Sequence, residues 1–273
     1  MLKRFFALLF CTLALSGLLS GCVTLSQGQI RRPQVESQEL AFQTPSADAP
    51  VAIFKTSQGE FRAVLYPEIA PMAVENFTQL AKQGYYDSTN FHRIISGFAV
   101  QGGDGTDTGK GGSTIWNNAP YPMEVSDQLH HYAGALCAAF SPDEPISGMS
   151  QFYVVQALPD SVDSNLQKQM EEAGYRSEVI AAYDKAGGLP YLDYTDTVFG
   201  QVYAGMETID AIASTKLDEE GNPIQPVTIE SVIITTYGEA ESGTASDASS
   251  SEPSAPSGEA SRSVAQSDST SQP

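Results

Sequence analysis

Phe91-His92-Arg93-Ile94-Ile95-Ser96-Gly97-Phe98-Ala99-Val100-Gln101-Gly102-Gly103-Asp104 places a guanidinium, an aromatic ring and an amide within one short run of apolar residues and glycines. Arg93, Phe98 and Gln101 are spaced by five and three residues, so a strand followed by a bend aims all three at one cleft. The set holds no nucleophile, no evident general base and no metal cage. A fixed cation, a greasy surface and a hydrogen-bonding amide suit binding and twisting a peptide rather than cutting it.

The flanking sequence supplies a frame for that cleft. Val51–Thr56 and Glu60–Tyr66 flank Ser57-Gln58-Gly59, which reads as a hairpin with glycine in the turn. Pro71 opens a helix with Ala73, Phe77, Leu80 and Ala81 on one face, and Gly84 just beyond stops it. Phe91–Val100 reads as a strand, and Gln101–Gly112 carries six glycines and reads as an irregular loop. Ala133–Ala139, Ser150–Gln156, Thr197–Tyr203 and Val227–Thr236 read as further strands, and Met206–Ala213 as a short helix. Many strands and few helices predict a mainly β fold, a closed antiparallel β-barrel capped by helices. Leu158–Pro190 breaks the pattern with two helical stretches, Val162–Glu172 and Arg176–Lys185, separated by Gly174 and ended by Gly187-Gly188.

The opening run closely resembles the signature of the cyclophilin family of peptidyl-prolyl cis/trans isomerases, whose fold is a barrel of this kind. The resemblance implies that Arg93 is the catalytic residue, that Phe98 floors the proline pocket and that Gln101 holds substrate backbone. Gly148-Met149-Ser150-Gln151-Phe152-Tyr153 is similar to the family's GSQFF run, which places Gln151 and Tyr153 at the site. By the same matching, Ala139 faces the groove and Tyr191 and Leu192 form pocket wall. The helical segment is similar to an insertion in cyclophilins of Gram-positive bacteria. This chain also departs from the family: Ala99 stands for a methionine, Phe140 for an asparagine, Tyr153 for a phenylalanine, Tyr191 for a tryptophan and Asp196 for a histidine. Arginine and pocket survive, so catalysis is expected, with substrate preference and cyclosporin sensitivity left open.

Other motifs carry less. Gly102-Gly103-Asp104 and Gly109-Lys110-Gly111-Gly112 lack the Gly-Lys-Ser/Thr arrangement of a phosphate loop. His92, His130, His131 and Cys137 lack metal-ligand spacing, so no metal or cofactor is expected. Ser150 has no His/Asp partnership, which argues against a hydrolase.

The chain ends suggest export. Lys3 and Arg4 precede an apolar run from Phe5 to Leu19, too short for the ~20 residues of a membrane-spanning helix. Leu19-Ser20-Gly21-Cys22 resembles the lipobox of bacterial lipoproteins, which implies a signal peptide over 1–21, cleavage before Cys22 and lipidation of its sulfur. Losing Lys3 and Arg4 moves the formal charge from −19 to −21, which argues against nucleic acid as a partner. Cys11 leaves with the signal and Cys22 takes lipid, so Cys137 has no partner for a disulfide. Residues 22–48 read as a lipidated start and flexible tether, 49–237 as the barrel domain with 158–190 inserted, and 238–273 as a disordered Ser-rich acidic tail whose one large aliphatic residue is Val264.

The leading expectation is a lipid-anchored, extracytoplasmic isomerase acting on proline-containing exported polypeptides, with a monomer expected. A cyclophilin-like peptide-binding module with little turnover is the alternative, and a surface protein acting through its acidic tail is a third, weaker one.

Overall fold

Side-chain alternation and one glycine make the first hairpin. In the computed structural model, which describes residues 30–141 and 144–243, β1 (Pro50–Thr56) pairs with β2 (Gly59–Leu65) from Val51↔Val64 to Thr56↔Gly59. Gly59 sits at φ 129°, and a Cβ there would come 2.9 Å from Thr208 Oγ1. Pro71 starts α1 (Pro71–Lys82), where its fixed φ is already helical and its missing N–H costs nothing. The next two orphan donors, Met72 and Ala73 N–H, are taken by the Glu124 carboxylate at 3.0 and 2.9 Å.

Eight more strands follow in the described residues: β3 (Thr89–Asn90), β4 (Arg93–Ile95), β5 (Ala99–Gly102), β6 (Tyr121–Pro122), β7 (Ala135–Ser141), β8 (Glu144–Val155), β9 (Val198–Ala204) and β10 (Thr228–Thr236). They form one antiparallel sheet in the order β3-β10-β1-β2-β9-β7-β8-β5-β4, with β6 added on β8. The two edge strands, β3 and β4, are separated in sequence only by Phe91 and His92, so the sheet curls until its edges nearly meet. The mainly β, antiparallel class expected from sequence is the one that forms. Among the described residues no β3–β4 pairing closes the hydrogen-bonded path, so the barrel keeps a seam there.

One face of the sheet wraps an aromatic core in which Phe54 stacks on Phe61 at 4.3 Å and Phe77 of α1 meets Phe152 and Phe199. Truncating any of these buried rings costs about 3–5 kcal/mol. The opposite face carries a second cluster built on Ala99, Ala135, Cys137, Tyr153, Val155 and Val198. Strand alternation divides the two, for Phe152 and Val154 point to the first and Tyr153 and Val155 to the second.

Between β8 and β9 the insertion folds as α2 (Ser164–Glu172) and α3 (Ser177–Ala186), close to the stretches read from sequence. Asp163 caps α2 by accepting from Leu166 N–H at 2.8 Å. The remaining helices are α4 (Met206–Ala213) and α5 (Tyr237–Ser242).

Three sequence expectations change. Phe91–Val100 is not one strand: β4 and β5 form a tight hairpin, with Gly97 at φ 78° supplying the reversal. The expected tether over 22–48 is, from Arg32 on, a strap packed against the domain. Arg32 clasps Asp210 at 2.6 and 3.0 Å, buried Glu39 pairs with Arg176 at 2.8 Å, and Phe42 lies 4.9 Å from the Tyr132 ring. Val35, Ala41 and Phe42 of the strap share one hydrophobic cluster with Val179, Ile180 and Tyr183 of the insertion. The start of the expected tail is also folded, because α5 is held by a capping box between Thr236 and Glu239 and buries Ala240. Cys22, the signal-like run and the stretch beyond 243 lie outside the described residues.

Candidate active site

Register brings the site together. Arg93 on β4 stands opposite Gln101 on β5, Gln101 opposite Tyr153 on β8, and Tyr153 opposite Cys137 on β7. Residues directly opposite on adjacent antiparallel strands project to the same face, so four strands present one row of side chains. The row lies on the second face, where Phe98, Ala139 and Leu192 pack half-buried against Tyr153 and its neighbours.

The exposed Arg93 guanidinium lies over the Phe98 ring, Cζ 5.9 Å from the centroid, and Nη1 lies 3.4 Å from Gln101 Oε1. Gln101 Nε2 donates to Gln151 Oε1 at 2.9 Å, and Gln151 Nε2 donates to Gly111 O at 2.6 Å. A chain of amides thus runs from the cation to the glycine-rich loop and fixes the orientation of both glutamines. Ala139 and Gln151 come from an irregularity in the β7–β8 ladder, where pairing jumps from Ala138↔Phe152 to Phe140↔Gly148. Extra residues on β8 bulge there, a device that re-aims side chains.

The loop after β5 is built around Asp104, which is fully buried. Its carboxylate accepts from the backbone N–H of Thr106, Thr108 and Gly111 at 2.8, 3.1 and 3.1 Å. Burial alone would raise its pKa, but these bonds outweigh burial and hold it below the ordinary carboxylate value. The amide nest is therefore filled by the chain's own anion, which explains glycine-richness without a phosphate. Gly103, at φ 83°, has no room for a Cβ because Ser150 O would lie 2.6 Å away. Ser150 Oγ donates to Gly103 O at 2.8 Å and accepts from Ser113 N–H at 3.1 Å, so its work is structural.

Tyr153 is 7% exposed, and its Oη donates to Asp196 Oδ2 at 2.5 Å. Burial, then the nearby Cys137 and Asp196, push the phenol's pKa well above its ordinary value, so it stays protonated. His131 lies parallel to the Tyr153 ring, 6.5 Å between centroids and 17° between planes. Next to Leu192, buried Asp193 collects His130 Nδ1, His131 Nδ1, His131 N–H and Tyr183 Oη within 2.8–2.9 Å. Burial opposes ionisation of Asp193, yet the two histidines more than reverse it and hold its pKa at about 2.

The structure thus gathers Arg93, Phe98, Gln101, Ala139, Gln151, Tyr153 and Leu192. Tyr191 is 61% exposed and joins none of the hydrophobic clusters, so it stands at most on the rim. Sequence reasoning treated Asp196 only as a departure and did not see it as the partner of Tyr153. It also passed over Tyr194, which is 52% exposed and adopts φ 65°. The surface groove lined by Arg32, Phe42, Tyr203 and Met206 includes none of the site residues.

Residues 51–234 match the family model described as cyclophilin type peptidyl-prolyl cis-trans isomerase/CLD. Proteins of Staphylococcus saprophyticus and Staphylococcus aureus, named as inferred peptidyl-prolyl cis-trans isomerases, are 39% and 41% identical over 182 and 180 residues. These alignments cover 67% and 66% of this chain, and 90% and 89% of the relatives. A Cryptosporidium parvum cyclophilin type peptidyl-prolyl cis-trans isomerase, crystallised in the presence of the dipeptide Ala-Pro, superposes with a TM-score of 0.54. It shares 27% identity and covers 68% of this chain and 99% of its own.

Proposed function

The chain belongs to the cyclophilin-type peptidyl-prolyl cis-trans isomerase family, and on that footing we propose that Arg93 drives X-Pro bond rotation at the β4–β5–β8 face. The observation that carries this reading is one cation placed over an aromatic ring and beside an amide, at the edge of an apolar cluster.

The chemistry needs little else. Amide resonance sets a rotation barrier of ~18–20 kcal/mol, and the uncatalysed X-Pro exchange takes tens to hundreds of seconds. Half-way through rotation the resonance is lost and the imide nitrogen regains a lone pair. A donor aimed at that nitrogen binds the twisted state better than either planar one. Arginine keeps its charge at every working pH and holds direction through its planar fork. Phe98, Tyr153 and Leu192 offer the proline ring an apolar seat, and Gln101 with Gln151 offers donors and acceptors for peptide backbone. Each 1.36 kcal/mol of differential stabilisation gives about tenfold in rate, and a peptide covering Arg93 would exclude the water that weakens it. No proton transfer and no covalent intermediate are required.

The role we assign is assistance to folding of exported proteins by an enzyme anchored through lipid on Cys22 at the outer membrane face. Its support is the basic start, the short apolar run and Leu19-Ser20-Gly21-Cys22. Polypeptides exported unfolded meet slow X-Pro steps, which such an enzyme would shorten.

NMR exchange spectroscopy on X-Pro peptides tests the catalytic reading. The purified protein should accelerate exchange, and Arg93→Ala should lower kcat/KM by about 10²–10³-fold while peptide affinity changes little. Equal rates for the two would overturn it. Mass spectrometry of the mature N-terminus should find acylated Cys22, and an unmodified terminus would refute the anchor.

A further inference from the structure

We infer that Asp196 is a positioning residue for the isomerase site, acting through Tyr153; this rests on Tyr153 being pocket wall as proposed above. Two observations carry it. The first is geometry: Tyr153 lies one rung from Gln101 and two from Arg93 in the ladder, and its Oη reaches Asp196 Oδ2 at 2.5 Å. The second is burial without charge compensation: Asp196 is 7% exposed, its Oδ1 accepts from Thr195 Oγ1 at 3.1 Å, and no cation forms an ion pair with it among the described residues.

A buried carboxylate and a buried phenol each need the other. Without Asp196 the Tyr153 hydroxyl is a buried donor left with only the weakly accepting Cys137 sulfur, and the ring must swing to find a better partner. Without the hydroxyl, the carboxylate keeps only Thr195. Removing one partner of such a pair is expensive, whereas replacing both by apolar groups of similar shape is nearly neutral. Asp196 therefore fixes the ring from its tip, as His131 does from its face and the β5–β8 register from its root. With the hydroxyl turned to Asp196, the proline is offered only hydrocarbon from Tyr153. The two departures from the family pattern, tyrosine for phenylalanine and aspartate for histidine, are thus one coupled exchange.

The test is a double-mutant cycle read as KM and kcat on an X-Pro peptide, with thermal melts alongside. Asp196→Leu should raise KM about tenfold with kcat within about twofold, and Tyr153→Phe should also raise KM, because each strands a buried polar partner. Asp196→Asn, whose amide oxygen still accepts, should stay near wild type, and the double variant Y153F/D196L should return to within about threefold of it. A D196L penalty that persists unchanged in the Y153F background overturns the inference, as does an Asn variant as impaired as the Leu one. Should D196L fail to fold, Y153F against Y153F/D196L still decides: recovery of KM supports the coupling and none refutes it. If wild type is active and Arg93→Ala is not, a flat cycle sinks only this inference. If Arg93→Ala is as active as wild type, the site reading itself fails.

Discussion

Arg93 and Gln101 face each other across the β4–β5 hairpin at 3.4 Å, so the cation proposed to act on the imide and the amide proposed to hold the peptide share one rung of the sheet. A charge introduced at 101 would meet the guanidinium directly. Gln101→Glu should therefore pin Arg93 in an ion pair and lower kcat by about tenfold or more. Because Arg93 is exposed, raised ionic strength should screen the pair and restore part of the rate. Exchange rates at low and high salt check this, and an unchanged kcat would show that Arg93 turns away from position 101 during turnover.

Asp104 is the hub of the loop that Gln151 grips through Gly111 O. Asp104→Ala leaves three backbone donors without their acceptor and should cost about 2–4 kcal/mol in urea unfolding. Amide hydrogen exchange at Thr106, Thr108 and Gly111 should quicken in the variant. Protection as strong as in wild type would mean the backbone holds its shape without the carboxylate.

Asp193 sets an acid limit on stability. Its pKa is held at about 2 against an ordinary 3.8, a depressed value, so its contribution is full above the unfolded pKa and disappears as pH falls through the folded one. The difference corresponds to about 2 kcal/mol, lost progressively between about pH 4 and pH 2. Urea melts across pH 2–7 should show this decline, while Asp193→Asn should be less stable at neutral pH and flatter over that window. A variant as stable as wild type at pH 7 would contradict the assignment.

Tyr194 occupies φ 65° with its ring half exposed. Left-handed backbone costs an L-residue about 1–2 kcal/mol, and glycine escapes that cost at some expense in unfolded-state entropy. Tyr194→Gly should be neutral to about 1 kcal/mol stabilising, whereas Tyr194→Ala keeps the strain and gains nothing. Thermal melts of the pair separate backbone from ring. A clear loss in the glycine variant would show that the edge contact with His130 outweighs the strain.

Much of this was legible because the informative signals are local. Gly59 between two alternating runs gives a hairpin, and Pro71 with the Ala73–Phe77–Leu80 spacing gives α1. The insertion helices announce themselves through their apolar faces and bounding glycines. What sequence hid was pairing at a distance. β4 and β5 are three and four residues long, too short for periodicity to reveal the turn at Gly97. The apolar residues of the strap are scattered, and the partners of Val35, Ala41 and Phe42 lie far along the chain, at Tyr132 and in the insertion. Tyr153 and Asp196 are 43 residues apart, and neither side chain alone signals a hydrogen bond.

The docked strap also governs when the molecule can finish assembling. Arg32 waits for Asp210, 178 residues later, Glu39 waits for Arg176, and β1 has its second neighbour only when β10 arrives. A chain made amino-end first leaves these early segments unsatisfied until nearly its whole length has emerged. Closure of the domain is thus a late, long-range event in which its first and last long strands meet.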